Sequence, residues 1–473
     1  MSDAAAGDIA GRGAVGAEPA SSRVWRALSR FLVWLFYRRV DVVGLERVPV
    51  SGPLIVAANH HQGLMDGILL AAALPRRLRP IAKAPLFGYP IIGQLARLSG
   101  AIPVHRRQDE GAAVDNRAMF SAARRALEHG EALLIFPEGR SQSEPTLMPL
   151  RTGAARLVLG APGERAEGPP VTLLPIGLMF HEPGTFRVGS AILLVGQPVP
   201  TDDLQALPPS ELERAVRLLT DRLGDALGRL IVEAKDRHTL GLVEAAESIW
   251  REEMPDAARE AKDRAAWLRR AALAHTYLAL AEPARTAALR SRLERYVKDL
   301  ELAGLTNRDL THGYGASTVL RYGLRQGLAL LLGLPLALWG LVNHVVPYQA
   351  IGLAVRALKP EPDVLATYKV LIGIVVFPAC WALEGWTAWR LGGGLLLVLF
   401  LVSLLPTAFF ALSWTERLER LRHETRGLLA VLLDRDLRAH LLARRRAIMA
   451  EFQDLLRHVP ESVLGRSARG RAG

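Results

Sequence analysis

The 473 residues are half apolar and carry a net charge of +12, with arginine supplying nearly all of the cations. That apolar fraction excludes a disordered chain and allows a substantial core in more than one structural unit. The arginine excess favours phosphate-bearing partners; no zinc-finger spacing, aromatic-interleaved basic strand or basic heptad region points to nucleic acid, so lipid or a phosphorylated small substrate is the expected partner.

Residues 1–21 are mostly Ala, Gly, Ser and Asp without period, lack the apolar centre of a secretory signal, and are expected to be a disordered tail. From Val24 to Tyr37, Trp25, Leu28, Phe31, Leu32, Leu35 and Phe36 fall at helical spacing among arginines. This stretch is too short to span a bilayer, which leaves two readings: an anchor lying in the headgroup layer, or a helix docked on a core. Residues 22–47 are taken as this helix and its lead-in.

From Pro53 to about Val199, short apolar runs alternate with helical patterns, as expected of an α/β domain. The expected strands are Leu54 to Ala58, Ile102 to Val104, Leu133 to Phe136, Val171 to Ile176 and Ile192 to Val195. Met119, Phe120, Ala123 and Leu127 form one helical face ending near Gly130, and Ser210 with Glu213 makes a capping-box pattern opening a later helix. Residues 236–318 are helical in pattern and carry no chemical constellation.

Composition then changes. Gly327 to Val346, Val370 to Leu383 and Leu391 to Trp414 are apolar runs, the first and third long enough to cross ~30 Å of hydrocarbon. The middle run contains Pro378 and is followed by Glu384, which suits a re-entrant half or a hairpin partner. Residues 319–415 are therefore expected to be a transmembrane region and 416–473 a basic cytoplasmic helical tail, since Arg417, Arg420, Arg422 and Arg444 to Arg446 follow the last run. With the α/β domain also cytoplasmic, the number of crossings is even, and two are expected. Cys380, the single cysteine, excludes a disulfide framework and reads as a small buried hydrophobe.

Chemistry concentrates in two segments. Asn59-His60-His61-Gln62-Gly63-Leu64-Met65-Asp66 places histidines at a strand-to-helix turn within reach of a carboxylate that can fix the ring tautomer, which is what general-base removal of an alcohol proton needs. Phe136-Pro137-Glu138-Gly139-Arg140-Ser141 follows another apolar run, so a glycine turn presents Glu138 and Arg140 at a similar strand end, where the guanidinium can clamp phosphate and Glu138 can hold that arginine or a substrate hydroxyl. Arg106 and Arg107 end a third strand, and Lys83 follows Ile81-Ala82; these are further substrate-binding candidates. No Gly-x-Ser-x-Gly is present, so direct attack by a substrate hydroxyl is expected rather than a covalent intermediate. Adjacent histidines rarely converge on one ion, so no metal is expected.

In these residues the chain resembles the glycerolipid acyltransferase family, which includes lysophosphatidate and glycerol-3-phosphate acyltransferases. Four blocks occur in the family's order: Asn59 to Asp66, Gly100 to Arg107, Phe136 to Ser141, and Leu174-Pro175-Ile176-Gly177. The resemblance implies a mixed sheet flanked by helices over residues 48–235, and His60 or His61 with Asp66 as the catalytic pair. It also implies a phosphate-contacting arginine in the second block, an acyl-CoA or acyl carrier protein co-substrate without a cofactor, and a phosphorylated glycerol acceptor at a phospholipid membrane.

Two departures bear on the acceptor. Four residues separate His61 from Asp66, as is usual in the family, whereas the usual Asn-His pair selects His60 with five between. Glycerol-3-phosphate acyltransferases of the fungal type resemble the five-residue form and carry a distant Leu-x-Pro-Leu, as Leu147 to Leu150 does here. This favours glycerol 3-phosphate and His60. In the second departure, Arg140 directly follows Gly139 where the family has Thr-Arg. Another lysolipid as acceptor, or anionic-lipid binding without turnover, are the alternative functions.

Overall fold

A computed structural model describes residues 20–105, 116–142, 144–160, 170–181, 189–232, 234, 237–254, 261–307, 310, 316–359, 365–433 and 435–461. The expected disordered tail lies outside these residues except for Ala20 and Ser21, which open a helix. Contacts divide the chain into one unit of residues 1–231 with 361–367, and another of residues 232–360 with 368–473.

The first unit is a seven-stranded mixed sheet flanked by helices. Its strands are β1 (Arg39–Val43), β2 (Leu54–Ala58), β3 (Leu78–Lys83), β4 (Ile102–Val104), β5 (Ala132–Ile135), β6 (Thr172–His181) and β7 (Ser190–Val195), in the order β1-β7-β6-β2-β5-β3-β4. β2 is central and fully buried, which is why it reads as an unbroken apolar run. It pairs in parallel with β5 and β6, β3 continues parallel to β5 and β4, and only the β6–β7 pairing is antiparallel. The carboxyl ends of β2, β3, β4 and β5 therefore share one edge of the sheet.

Alternation along β2 sends Ile55 and Ala57 into a core shared with helices α4 (Arg117–Glu128), α5 (Gly153–Leu159) and α6 (Leu212–Gly228). Leu54, Val56 and Ala58 face the other way. Helix α1 (Ala20–Phe36) packs against α2 (Leu64–Ala73) and α3 (Pro90–Ser99), and α2 and α3 pack against β3.

Three sequence expectations change here. β1 pairs with β7, so the sheet begins at Arg39, inside the presumed lead-in. The Ser210/Glu213 capping box does not form: Pro209–Glu211 is a 3-10 turn, α6 starts without a side-chain cap, and Glu213 instead meets Arg156 at 2.9 Å. For α1 the two readings divide the helix between them. Trp25, Leu32 and Phe36 are buried, while Val24, Phe31 and Trp34 are exposed.

The second unit joins regions that the sequence separates. Helices α7 (Arg237–Glu253), α8 (Ala261–Ala281), α9 (Pro283–Ala303) and α12 (Arg435–Arg457) form a bundle, with Ile249, Leu293, Tyr296, Leu300, Leu310, Leu441 and Ile448 in one core. The presumed basic tail is thus part of the bundle made by residues 237–310. Buried Arg445 reaches Glu253 and the Asn307 carbonyl, and Arg438 donates twice to the Leu310 carbonyl.

Between these anchors run α10 (Ala316–Leu358) and α11 (Leu365–Leu433). Helix α11 breaks at Gly392 and Gly393, the latter at φ +66°, a conformation glycine adopts without penalty. The chain folds back there, with Gly385 of the first arm against Leu397 and Phe400 of the second. The middle apolar run is therefore one arm of a hairpin that starts at Leu365 and continues through Pro378. Gly340 of α10 lies so close to the Thr407 carbonyl that any Cβ would clash. Gly323–Leu358 and Thr367–Glu419 are long and apolar enough to cross a membrane, and only 22% of each apolar window is buried.

Candidate active site

The turn after β2 is built by one carboxylate. Asp66, in the first turn of α2 and fully buried, accepts through Oδ2 the backbone N–H groups of His61 at 2.7 Å and Gln62 at 2.8 Å. The same oxygen meets His60 Nδ1 at 2.8 Å. An anion at a helix N-terminus is also favoured by the exposed peptide dipoles. Asp66 thus folds the turn and fixes the ring that the turn presents.

His60, not His61, pairs with Asp66. Its ring stacks on Phe136 at 4.0 Å between centroids and 12° between planes, and its side chain is 17% exposed. With Nδ1 committed to the carboxylate, Nε2 is the atom left to meet a substrate. His61 turns away, its Nδ1 lying 3.1 Å from the carbonyl oxygen of Gln142.

The Phe136 to Ser141 segment clamps this turn from β5. Glu138, 3% exposed, accepts the His60 N–H at 2.8 Å and the Met148 N–H at 3.1 Å, and the Gln142 N–H returns to the His60 carbonyl at 3.1 Å. The expectation that Glu138 holds Arg140 or a substrate hydroxyl is therefore corrected, because both of its oxygens face backbone donors in the interior. Burial pushes the Glu138 carboxyl up to about 7, against the lowering effect of those two hydrogen bonds. Asn59 completes the frame, donating to the Leu178 carbonyl at 2.9 Å and accepting its N–H at 2.6 Å.

Gly139 carries φ +77° and opens the turn towards solvent. Arg140 is exposed there, its Nε 3.1 Å from the Met148 sulfur. Arg151, which no sequence motif singles out, lies beside it: its N–H donates to the Pro137 carbonyl at 2.7 Å, and its Cγ would touch a Cβ at Gly139 at 3.4 Å. The signal that finds Arg151 is spatial.

Lys83 ends β3, exposed and in register with Val104 of β4. Arg106 and Arg107 lie outside the described residues, though Asn116 bonds both the N–H and the carbonyl of His105 and so joins the two sides of that segment. The fourth block sits inside β6, where Leu174 and Ile176 are fully buried and Pro175 is in register with Ala57, which makes it a packing element beneath the turn. Among the described residues, no group of three His, Cys, Asp or Glu side chains is placed to hold a metal ion.

The Acyltransferase family model matches residues 39–179. Residues 39–179 form an acyltransferase-family domain. An uncharacterized acyltransferase of Schizosaccharomyces pombe is 24% identical over 307 residues, covering 46% of this chain and 45% of that protein. The 1-acyl-sn-glycerol-3-phosphate acyltransferase alpha of Homo sapiens is 28% identical over 188 residues, covering 38% of this chain and 62% of that protein. The chloroplastic 1-acyl-sn-glycerol-3-phosphate acyltransferase of Brassica napus is 25% identical, covering 38% and 49%. The chain thus spans about half the length of these relatives. The crystal structure of the 1-acyl-sn-glycerophosphate acyltransferase PlsC from Thermotoga maritima aligns with 43% of this chain and 79% of that one, at 21% identity and a TM-score of 0.30. The matched residues begin at β1 and end in β6, so the acyltransferase-family domain includes the His60–Asp66 turn and the Glu138 clamp.

Proposed function

We propose that the chain is a membrane-bound O-acyltransferase that moves an acyl group from a thioester to a hydroxyl of a glycerol phosphate. The observation that carries this reading is the 2.8 Å contact of His60 Nδ1 with Asp66, which leaves Nε2 of a ring fixed against Phe136 to act as base. His60 takes the proton from the acceptor hydroxyl, and the oxygen attacks the thioester carbonyl. The tetrahedral anion collapses, breaking the C–S bond, and the departing thiolate takes the proton back from the imidazolium. An ester and a free thiol result.

Arg140 and Arg151 hold the acceptor phosphate, with Arg106 or Arg107 and Lys83 contributing charge, so that binding energy away from the reacting atoms aligns the hydroxyl. The names of the human and rapeseed relatives favour a 1-acylglycerol 3-phosphate acceptor. The five residues between His60 and Asp66 favour glycerol 3-phosphate. The donor is acyl-CoA or acyl carrier protein, the apolar helices hold the enzyme in a phospholipid membrane, and the acyltransferase-family domain faces the cytoplasm.

The test is an assay of detergent-purified protein with labelled acyl-CoA or acyl carrier protein and each acceptor. His60→Ala is expected to lower the rate about 10²- to 10⁴-fold, and His61→Ala far less. Arg140→Ala and Arg151→Ala are expected to raise the acceptor KM more than they lower kcat. Unchanged turnover in His60→Ala would discard His60 as the base, whereas absence of turnover in the parent protein with every donor and acceptor would leave anionic-lipid binding as the function.

A further inference from the structure

Three buried polar atoms within the apolar helices of the second unit lack a partner among the described residues: His344 Nε2, Trp381 Nε1 and Glu384 Oε2. They gather in one place. His344, on α10, lies 5.6 Å from Trp381 on the first arm of α11 with the rings nearly perpendicular, and Phe377 flanks both at 6.1 and 5.4 Å. Glu384 is one helical turn beyond Trp381 and shares its face.

The chemistry of the three atoms is complementary. His344 Nδ1 lies 2.7 Å from the Gly340 carbonyl, which can only accept, so Nδ1 carries the hydrogen and the neutral ring offers a lone pair at Nε2. Trp381 Nε1 can only donate. A carboxyl group in hydrocarbon is favoured in its neutral form, which both donates and accepts. Polar groups at such a place are costly unless satisfied, so the cluster calls for a ligand with a hydroxyl to donate and oxygens to accept. A phosphate would need a cation, and this cluster offers none.

Depth points the same way. Glu384 is eight residues before the Gly392 break, ~12 Å along the helix. Trp386 and Trp389 are exposed near that break, and the Arg390 guanidinium lies 5.9 Å over Trp386, the residue types that mark a membrane–water interface. The cluster then lies ~12 Å from that interface inside ~30 Å of hydrocarbon, a depth that favours an uncharged ligand.

We propose that His344, Trp381 and Glu384 form a second lipid site that takes an uncharged glycerolipid with a free hydroxyl, as in a diacylglycerol. The lipid hydroxyl donates to His344 Nε2, and ester oxygens accept from Trp381 and from the Glu384 carboxyl. This rests on the proposed residence of α10 and α11 in the membrane.

The experiment reconstitutes the full chain in phosphatidylcholine nanodiscs with a photoactivatable diacylglycerol and maps labelled peptides between residues 340 and 391. Labelling is expected to be displaced by unlabelled diacylglycerol and not by its O-methyl ether. It should fall roughly fivefold in His344→Phe and in Trp381→Phe, each losing one hydrogen bond, and persist in Glu384→Gln, which keeps a donor and an acceptor. Equal labelling in both variants, or equal displacement by the ether, overturns the site. Release of the whole chain by alkaline washing of membranes would instead overturn the membrane reading and the site with it.

Discussion

At the scale of single residues, the candidate site is organised by two buried carboxylates with different duties. Asp66 gathers three donors on one oxygen, one of them the His60 ring. Glu138 accepts only backbone N–H groups and so couples the position of His60 to the Met148 segment. Its cost appears with pH. The folded carboxyl titrates near 7 and the unfolded one near 4.5, so between these values the folded state holds a proton that the unfolded state releases. The stability this proton confers is complete below about pH 4.5 and is lost as pH rises through about 7, by up to ~3 kcal/mol. Glu138→Gln removes this titration. Thermal unfolding in detergent at pH 5 and pH 7.5 should show the parent losing stability relative to the variant as pH rises; parallel behaviour would mean that Glu138 does not titrate in that window. The sequence already contained the histidines and both carboxylates. It left open which histidine is used, because both are within reach of Asp66 and only ring orientation separates them. Arg151 was not legible, since it reaches the Gly139 turn through a fold of the intervening chain and belongs to no spacing pattern.

At the scale of elements, the site depends on β2 and β6 holding a common register, and Asn59 is the pin. Its amide presents a donor and an acceptor to the two polar groups of Leu178, so the strand continuing from the fourth block is locked to the turn that carries His60. Asn59→Asp keeps the shape but sets a carboxylate oxygen against the Leu178 carbonyl in a fully buried place. The expected loss is about 2–4 kcal/mol, seen as a lowered unfolding midpoint together with reduced turnover. An unchanged midpoint would show that the register is held elsewhere. The same packing logic explains which strands the sequence displayed. β2, β4 and β5 are short apolar runs and read directly. β1 is an edge strand whose alternation, Arg39-Val40-Asp41-Val42, covers only four residues, and β3 carries Arg79, Pro80 and Lys83, so neither shows an apolar run. The helices of residues 237–303 were legible as helices, but their partner α12 lies more than a hundred residues away, and periodicity carries no record of which faces meet.

For the molecule as a whole, the bundle constrains how the apolar helices can cross a bilayer. The segment from 316 to 433 leaves the bundle after Leu310 and returns to it at α12, and the two ends are tied by Arg438 to the Leu310 carbonyl and by Arg445 to the Asn307 carbonyl. An odd number of crossings would separate those ends by ~30 Å of hydrocarbon and break every one of these bonds. In a membrane-bound chain the two ends of this segment are therefore expected on the same side. In the proposed membrane enzyme, cysteines placed at exposed Ser291 of α9 and exposed Arg446 of α12, in a Cys380→Ala background, should react with an impermeant maleimide from the same side of sealed vesicles. Labelling from opposite sides would refute the shared bundle. Arg445→Ala gives the energetic counterpart: it removes the ion pair with partly exposed Glu253 and the hydrogen bond to the Asn307 carbonyl, an expected loss of about 1–3 kcal/mol. If the two ends depend on this tie, the variant should expose the Ser291 region to proteolysis before the first unit unfolds, whereas simultaneous loss of both units would place the tie's influence beyond the bundle.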